Sequence, residues 1–177
     1  DTQKASVADA ALAAGAEVVN DVNGLRADGM VEALARHGAG AVVMHMRGSP
    51  RTMQLDTRYD GLVGDVQRFL SERIEVLRSA GVERIWADPG IGFGKSPQDC
   101  AELIRRLPEL RSLGVPLYVG ASRKSFLGHL VGEPDPKARL AASLGAAAAA
   151  ARQGASVLRV HEVLETRQLL DVIQACT

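Results

Sequence analysis

Cysteine is nearly missing from this chain: Cys100 and Cys176 are the only two in 177 residues. Their spacing matches no recognisable pairing, which excludes a disulfide framework and points to a reducing, cytoplasmic setting. Net charge is missing too, since 21 Lys and Arg offset 21 Asp and Glu. The two signs are interspersed, so neither nucleic acid nor an anionic membrane is expected as a partner. Long apolar runs are absent; the uncharged, alanine-rich stretch from Leu140 to Ala151 is far short of a spanning helix. No signal peptide is expected. The four histidines, His37, His45, His129 and His161, show no HxxxH, HxH or Cys/His pairing, so no zinc site is expected. The chain opens at Asp1 without a methionine or a preceding strand, and the expectation is therefore a piece of a larger domain.

What is present is organised around RIWADPGIGFGK, residues 84–95. A short apolar run ends in a carboxylate, then a proline, then glycines alternating with apolar residues. Strands of a parallel sheet that end this way hand their last polar residue to the ligand face, because the interior cannot hold an unpaired charge. Asp88 is thus a candidate ligand contact, with a helix N-cap as the alternative reading. The glycines permit positive φ and close backbone approach to a ligand. Neither phosphate-loop motif fits: Pro89 stands where a Walker loop needs its first glycine, and Lys95 where GxGxxG needs its last.

Apolar periodicity predicts helices over residues 4–14, 30–37, 62–80, 99–113, 137–153 and 162–175. Strands are predicted over 17–21, 41–46, 84–87, 116–120 and 156–160. The loop RGSPRTMQLDTRYD is long for a βα connection and is expected to be functional. Strand and helix alternate with turns back at glycine, the pattern of parallel βα units. Each strand ends on polar residues: Asn20 and Asp21, His45, Asp88, Ser122 to Lys124, and Arg159 with His161. A doubly wound sheet would gather its ligand mainly at one switch point. Polar groups at every strand end favour a (β/α)8 TIM barrel instead. Asp1 fits as the end of a strand whose body is not in the sequence, so the expectation is a partial barrel, from the end of strand 3 to helix 8. The alanine-rich stretch reads as a packed barrel helix, because small side chains allow close approach to a sheet.

Five blocks in order, DTQKASVADAALAAGAEVVNDV, MHMRGSPRTMQ, DPGIGFGKS, VGASRKSFLG and RVHEVLET, resemble dihydropteroate synthase. This pterin-binding family is a folate-pathway transferase and sulfonamide target that joins dihydropterin pyrophosphate to p-aminobenzoate. The resemblance covers the whole chain. It implies that residues 1–177 form a single pterin-binding barrel domain lacking strands 1–3. It further implies that Asp1, Asn20 and Asp88 hydrogen-bond the pterin, with Val22, Met44 and Phe93 lining the pocket and Gly120 beside it. Lys124 would reach the pterin carbonyl and ring nitrogen. Arg159 and His161 would hold the pyrophosphate, and Ser122 and Arg123 would lie near p-aminobenzoate. His45 is read as structural, packed under the HMRGSP turn.

The chemistry agrees with those roles. A pterin edge carries several N–H donors, which a buried carboxylate accepts strongly. Arg159 and His161 are two apart on a strand end and project to one face. Asp1, Lys124, Arg159 and His161 are the expected catalytic groups, through fixed charge rather than a covalent intermediate. The resemblance also implies a magnesium cofactor held by an asparagine on a strand outside this sequence, so no metal ligand is assigned among its residues. It implies a homodimer through the last helices as well, and an isolated chain is expected to expose barrel edges and be inactive. A folate-dependent methyltransferase of the related pterin-binding family, or a binding fragment without turnover, are the alternatives.

Overall fold

The computed structural model describes residues 1–49, 51–53 and 55–176. Pro50 and Gln54, which belong to the MHMRGSPRTMQ block and the long loop, lie outside the described residues. The strands are β1 Val18–Asp21, β2 Gly40–Met44, β3 Ile85–Asp88, β4 Tyr118–Val119 and β5 Val157–Leu158. β1, β2 and β3 pair in parallel, as do β4 and β5. A parallel bridge between Ala87 and Leu117 joins the two groups. The strands therefore follow one another in chain order with no reversal, which removes the switch point of a doubly wound sheet and gives part of a (β/α)8 barrel. On the far side of β1, the Thr2 amide donates to the Asn20 carbonyl at 3.1 Å, so residues 1–2 already run alongside the sheet.

Helices cover one face of this arc: α1 Ala5–Ala13, α2 Met30–His37, α3 Leu62–Ser79, α4 Pro97–Arg105, α5 Ser125–Val131, α6 Leu140–Arg152 and α7 Val163–Ala175. The period of two along each strand decides what faces them. Val19, Ala41, Val43, Ile85, Ala87, Leu117 and Val119 belong to the apolar core under the helices. Asn20, Met44 and Asp88 alternate with those residues and so project to the inner face. α3 is held by Leu62, Val66, Leu70, Ile74 and Leu77, buried at helical spacing. α6 buries Ala146, Ala147 and Ala150, in keeping with the close approach that alanine allows.

Three elements differ from the expectation. The single helix over 99–113 is instead α4 followed by a 3-10 helix, Leu107–Leu113, because Pro108 lacks the N–H an α-helix needs there and its ring crowds the preceding turn. α4 also starts earlier, through a capping box in which Ser96 accepts from the Asp99 amide and Asp99 accepts from the Ser96 amide. That places the N-cap at Ser96 and rules it out for Asp88. α5, inside SRKSFLGHLV, was not expected; seven residues with a central Gly128 carry little helical period. α6 begins only at Leu140, because Asp135 caps a separate 3-10 turn over Pro136–Ala138.

The glycine loop after β3 is tied to the end of β2 by Lys95, which is 3% exposed. Its ammonium donates to the carbonyls of Gly90 and Phe93, both at 3.0 Å, and to His45 Nδ1 at 2.9 Å. Burial lowers the Lys95 pKa to about 7. His45 is buried, edge-on to Phe69. Burial first, and the Lys95 charge second, press its pKa down to about 3. The long loop joins in through Tyr59, whose hydroxyl donates to the Gly94 carbonyl at 2.8 Å.

Three outcomes follow from this packing. Gly90 has φ +70°, and a Cβ there would lie 1.8 Å from the His45 carbonyl oxygen. Gly90→Ala should therefore cost at least about 2 kcal/mol in denaturant unfolding. Gly145→Ala, in α6 with nothing within 4 Å of the added methyl, should be neutral or stabilise by up to about 1 kcal/mol. For His45, the folded pKa of about 3 lies below the ordinary 6.5, so the unfolded chain binds more protons between those values. Its contribution to stability rises with pH across that window and levels above 6.5. At pH 5 it should cost about 2 kcal/mol relative to pH 8, read as the part of the pH dependence of unfolding that His45→Gln removes.

Candidate active site

Asp88 closes β3 on the inner face and is 5% exposed. One of its oxygens accepts from the Gly90 amide at 2.7 Å, a tight turn that only the positive φ of Gly90 permits. Burial pushes the carboxyl pKa up, while the Lys124 ammonium, the Gly90 N–H and Lys95 pull it back. Lys124 arrives from the N-terminus of α5 across the glycine loop. Its Nζ donates to the Ile91 carbonyl and sits 4.6 Å from the centre of the Phe93 ring. Burial lowers its pKa and Asp88 opposes that. Lys124 and Arg123, neighbours in sequence, therefore do not form a solvated pair: one turns inward to the loop and the other leaves.

Beside Asp88, Met44 is buried and in register with it, and Asn20 is partly buried on β1. Asn20 Nδ2 donates to the Asp1 carboxylate. Its Oδ1 is buried and has no hydrogen-bond partner among the described residues, an acceptor left open on a wall that otherwise satisfies its polar atoms. Val22, just beyond β1, is half-buried. Asp21, by contrast, faces the other way and is spent locally, accepting from the amides of Asn23 and Leu25. Asp1 also accepts from Arg159 Nη2 at 2.8 Å, across 158 positions of sequence. An added Cβ on Gly120 would lie 3.7 Å from Arg159 Cβ and 3.8 Å from Lys124 Nζ, which sets this glycine between the two cations.

A cavity of about 460 Å³ opens here, lined by Gly120, Ser122, Arg123, Lys124, Arg159 and His161 among others. His161 is exposed rather than a core histidine. Its Nδ1 is 2.9 Å from Ser122 Oγ, and its amide donates to the same oxygen at 3.3 Å. Arg123 has φ +58°, unusual outside glycine, and directs its guanidinium onto Glu162 Oε1. That contact holds the Glu162 carboxyl pKa down. A larger depression, about 820 Å³, lies between residues 25–32 and α3 and contains none of the predicted residues.

Asp1 thus bonds both Asn20 and Arg159, Lys124 meets Phe93 and acts through its charge on Asp88, and Gly120 lies between Lys124 and Arg159. His161 and Ser122 share the cavity with Lys124 and Arg159. Sequence reasoning missed Lys95 and Glu162. In the sequence Lys95 stands where GxGxxG needs its last glycine, and a lysine two residues beyond Phe93 in an apolar loop is the available signal for its role. The partner of Arg123 had none.

The chain matches the family described as pterin binding enzyme over residues 1–161. It is 43% identical to a dihydropteroate synthase of a Synechocystis species, over 99% of this chain and 62% of that protein; it therefore spans less than two thirds of that relative's length. The Thermus thermophilus dihydropteroate synthase, solved in complex with 6HMPPP, superposes with a TM-score of 0.96 at 45% identity, covering 99% of this chain and 70% of that one. The Xanthomonas albilineans enzyme, solved with 7,8-dihydropteroate, gives 0.92 at 44% identity, covering 99% and 65%. With nine-tenths of its length matched, and with inward acids, amide and cations at its strand ends, the chain belongs to the pterin binding enzyme family.

Proposed function

We propose that the chain carries the catalytic face of a dihydropteroate synthase, joining 6-hydroxymethyl-7,8-dihydropterin pyrophosphate to p-aminobenzoate with release of pyrophosphate. The observation that carries this reading is the open, buried Oδ1 of Asn20 on the same inner wall as the buried Asp88. Two acceptors on one inner face, on β1 and β3 with β2 between them, suit a flat ligand edge rich in N–H donors. The likeness to relatives solved with 6HMPPP and with 7,8-dihydropteroate supports it.

On this reading Asp88 takes the amino-pyrimidinone edge, Asn20 accepts beside it, and Met44, Val22 and Phe93 supply apolar walls. Lys124 exchanges the Ile91 carbonyl for the ligand's carbonyl and ring nitrogen. Arg159 and His161 receive the pyrophosphate, with Ser122 fixing the imidazole through Nδ1 and leaving Nε2 for the anion. The C–O bond to pyrophosphate breaks, its electron pair leaving with the pyrophosphate. The dihydropterin delocalises the positive charge on the methylene, and Asp1 lies near enough to favour it. The aniline nitrogen of p-aminobenzoate then attacks, in the space near Ser122 and Arg123, and loses its proton. The chain's contribution is fixed charge and orientation.

A magnesium ion would help to neutralise the departing pyrophosphate. The resemblance places its protein ligand on a strand outside this sequence, and no step is routed through it. Homodimer formation through the last helices belongs to the same proposal, and the exposed Val163, Leu164 and Val172 of α7 are available for it.

Titration of the chain with dihydropterin pyrophosphate should show saturable binding that Asp88→Asn weakens at least about tenfold, as expected for a charge-assisted contact made neutral. Binding of a reduced pterin lacking the pyrophosphate with equal affinity would favour the methyltransferase reading instead. With the N-terminal strands of a dihydropteroate synthase added, Lys124→Ala and Arg159→Ala should each lower dihydropteroate formation roughly a hundredfold. Turnover within about threefold of the unaltered protein in both would refute these roles.

A further inference from the structure

The glycine loop is held by side chains rather than by a sheet or a helix. The Gly90 and Phe93 carbonyls accept from Lys95, the Ile91 carbonyl from Lys124 and the Gly94 carbonyl from Tyr59. Lys95 differs from the other two. Its ammonium is enclosed by its own loop, out of reach of the cavity, and its third partner is His45 Nδ1. A buried lysine is costly unless its donors are matched, and here three N–H groups meet the Gly90 and Phe93 carbonyls and His45 Nδ1, with the His45 carbonyl at 3.5 Å as a fourth, longer acceptor.

We propose that Lys95 is a positioning residue for the pterin end of the site, clamping the loop so that Asp88 and Phe93 keep their places. Gly90, whose carbonyl Lys95 grips, gives its amide to Asp88. Phe93, whose carbonyl it also grips, sets its ring against Lys124. The clamp thus acts on both sides of the flat ligand proposed above, on which reading this inference rests. It does not touch Arg159 or His161, so its loss should separate the two ends of the ligand.

Lys95→Met keeps the length and removes the donors. Two measurements decide. In the free chain, amide hydrogen exchange at Gly90 and Phe93 should accelerate at least about tenfold, while the Ala41 amide, bonded to the Arg84 carbonyl in the sheet, keeps its protection. In titrations, affinity for dihydropterin pyrophosphate should fall at least tenfold, while affinity for inorganic pyrophosphate stays within twofold. A merely structural lysine would move both ligands together or neither. Unchanged exchange at Gly90 and Phe93, or equal losses for both ligands, would overturn the proposal. If Lys95→Met exposes Ala41 as well, Lys95→Gln is judged by the same criteria. If the unaltered chain binds no pterin pyrophosphate, the proposed function fails, and the exchange contrast alone judges the clamp.

Discussion

A carboxylate buried at the end of a strand has to be answered by nearby donors, and the inner face is arranged around answering Asp88. Desolvation alone would drive its proton on. The Gly90 amide and the Lys124 ammonium oppose that, and each imposes a condition of its own. The amide can reach back only if residue 90 takes a positive φ against the His45 carbonyl, which excludes any side chain. The ammonium is itself half-buried and needs acceptors, which the loop supplies as the Ile91 carbonyl and the Phe93 ring. One charge at the end of β3 therefore accounts for the glycine, for the path of the loop and for the lysine that opens α5.

The same reasoning explains which parts of the molecule could be read in advance. Parallel strands with helical crossovers write a strong period, and the polar residue closing each strand is visible by eye; Asn20 and Asp88 on the inner face are legible that way, and so is Asp21, which turns to the other face. Boundaries that depend on local chemistry were less legible. Pro108 should have divided the 99–113 helix, but apolar spacing continues through the 3-10 turn and hides the break. α5 was missed because its seven residues hold a glycine and offer less than two full turns of pattern. Lys95 and the Arg123–Glu162 pair were hidden for a different reason. Their meaning lies in contacts across 50 and 39 positions, and a sequence lists side chains without saying which of them meet.

Charge at the rim is distributed by prior commitments. Arg123 is engaged by Glu162, and its backbone adopts a left-handed φ in the turn that brings them together. That arginine is therefore a poor candidate for a strongly held anion, though it can border one. Lys124 is committed to Asp88 and the loop. Arg159 has only Asp1, and that pair is more than half exposed, a weak tie of the kind worth at most about 1 kcal/mol. Of the three cations from the SRK and RVH blocks, Arg159 is the one whose present partner gives way at least cost, and His161 stands beside it with one ring nitrogen already satisfied by Ser122.

That ordering bears on the proposed chemistry. While Asp1 and Arg159 hold one another, neither presents its full charge to the cavity. On the proposed function, a pyrophosphate arriving at Arg159 would carry more negative charge than a single carboxylate and would displace it. Asp1, still held by Asn20, would then face the pocket without its cation, next to where the methylene of the proposed pterin would become positive. Binding of the leaving group at one end would in this way release the stabilising charge at the other, so that a free pterin without its pyrophosphate would meet a neutralised Asp1. The strand ends supply two halves of one electrostatic arrangement, and on the proposed function the substrate's own anion would be what separates them.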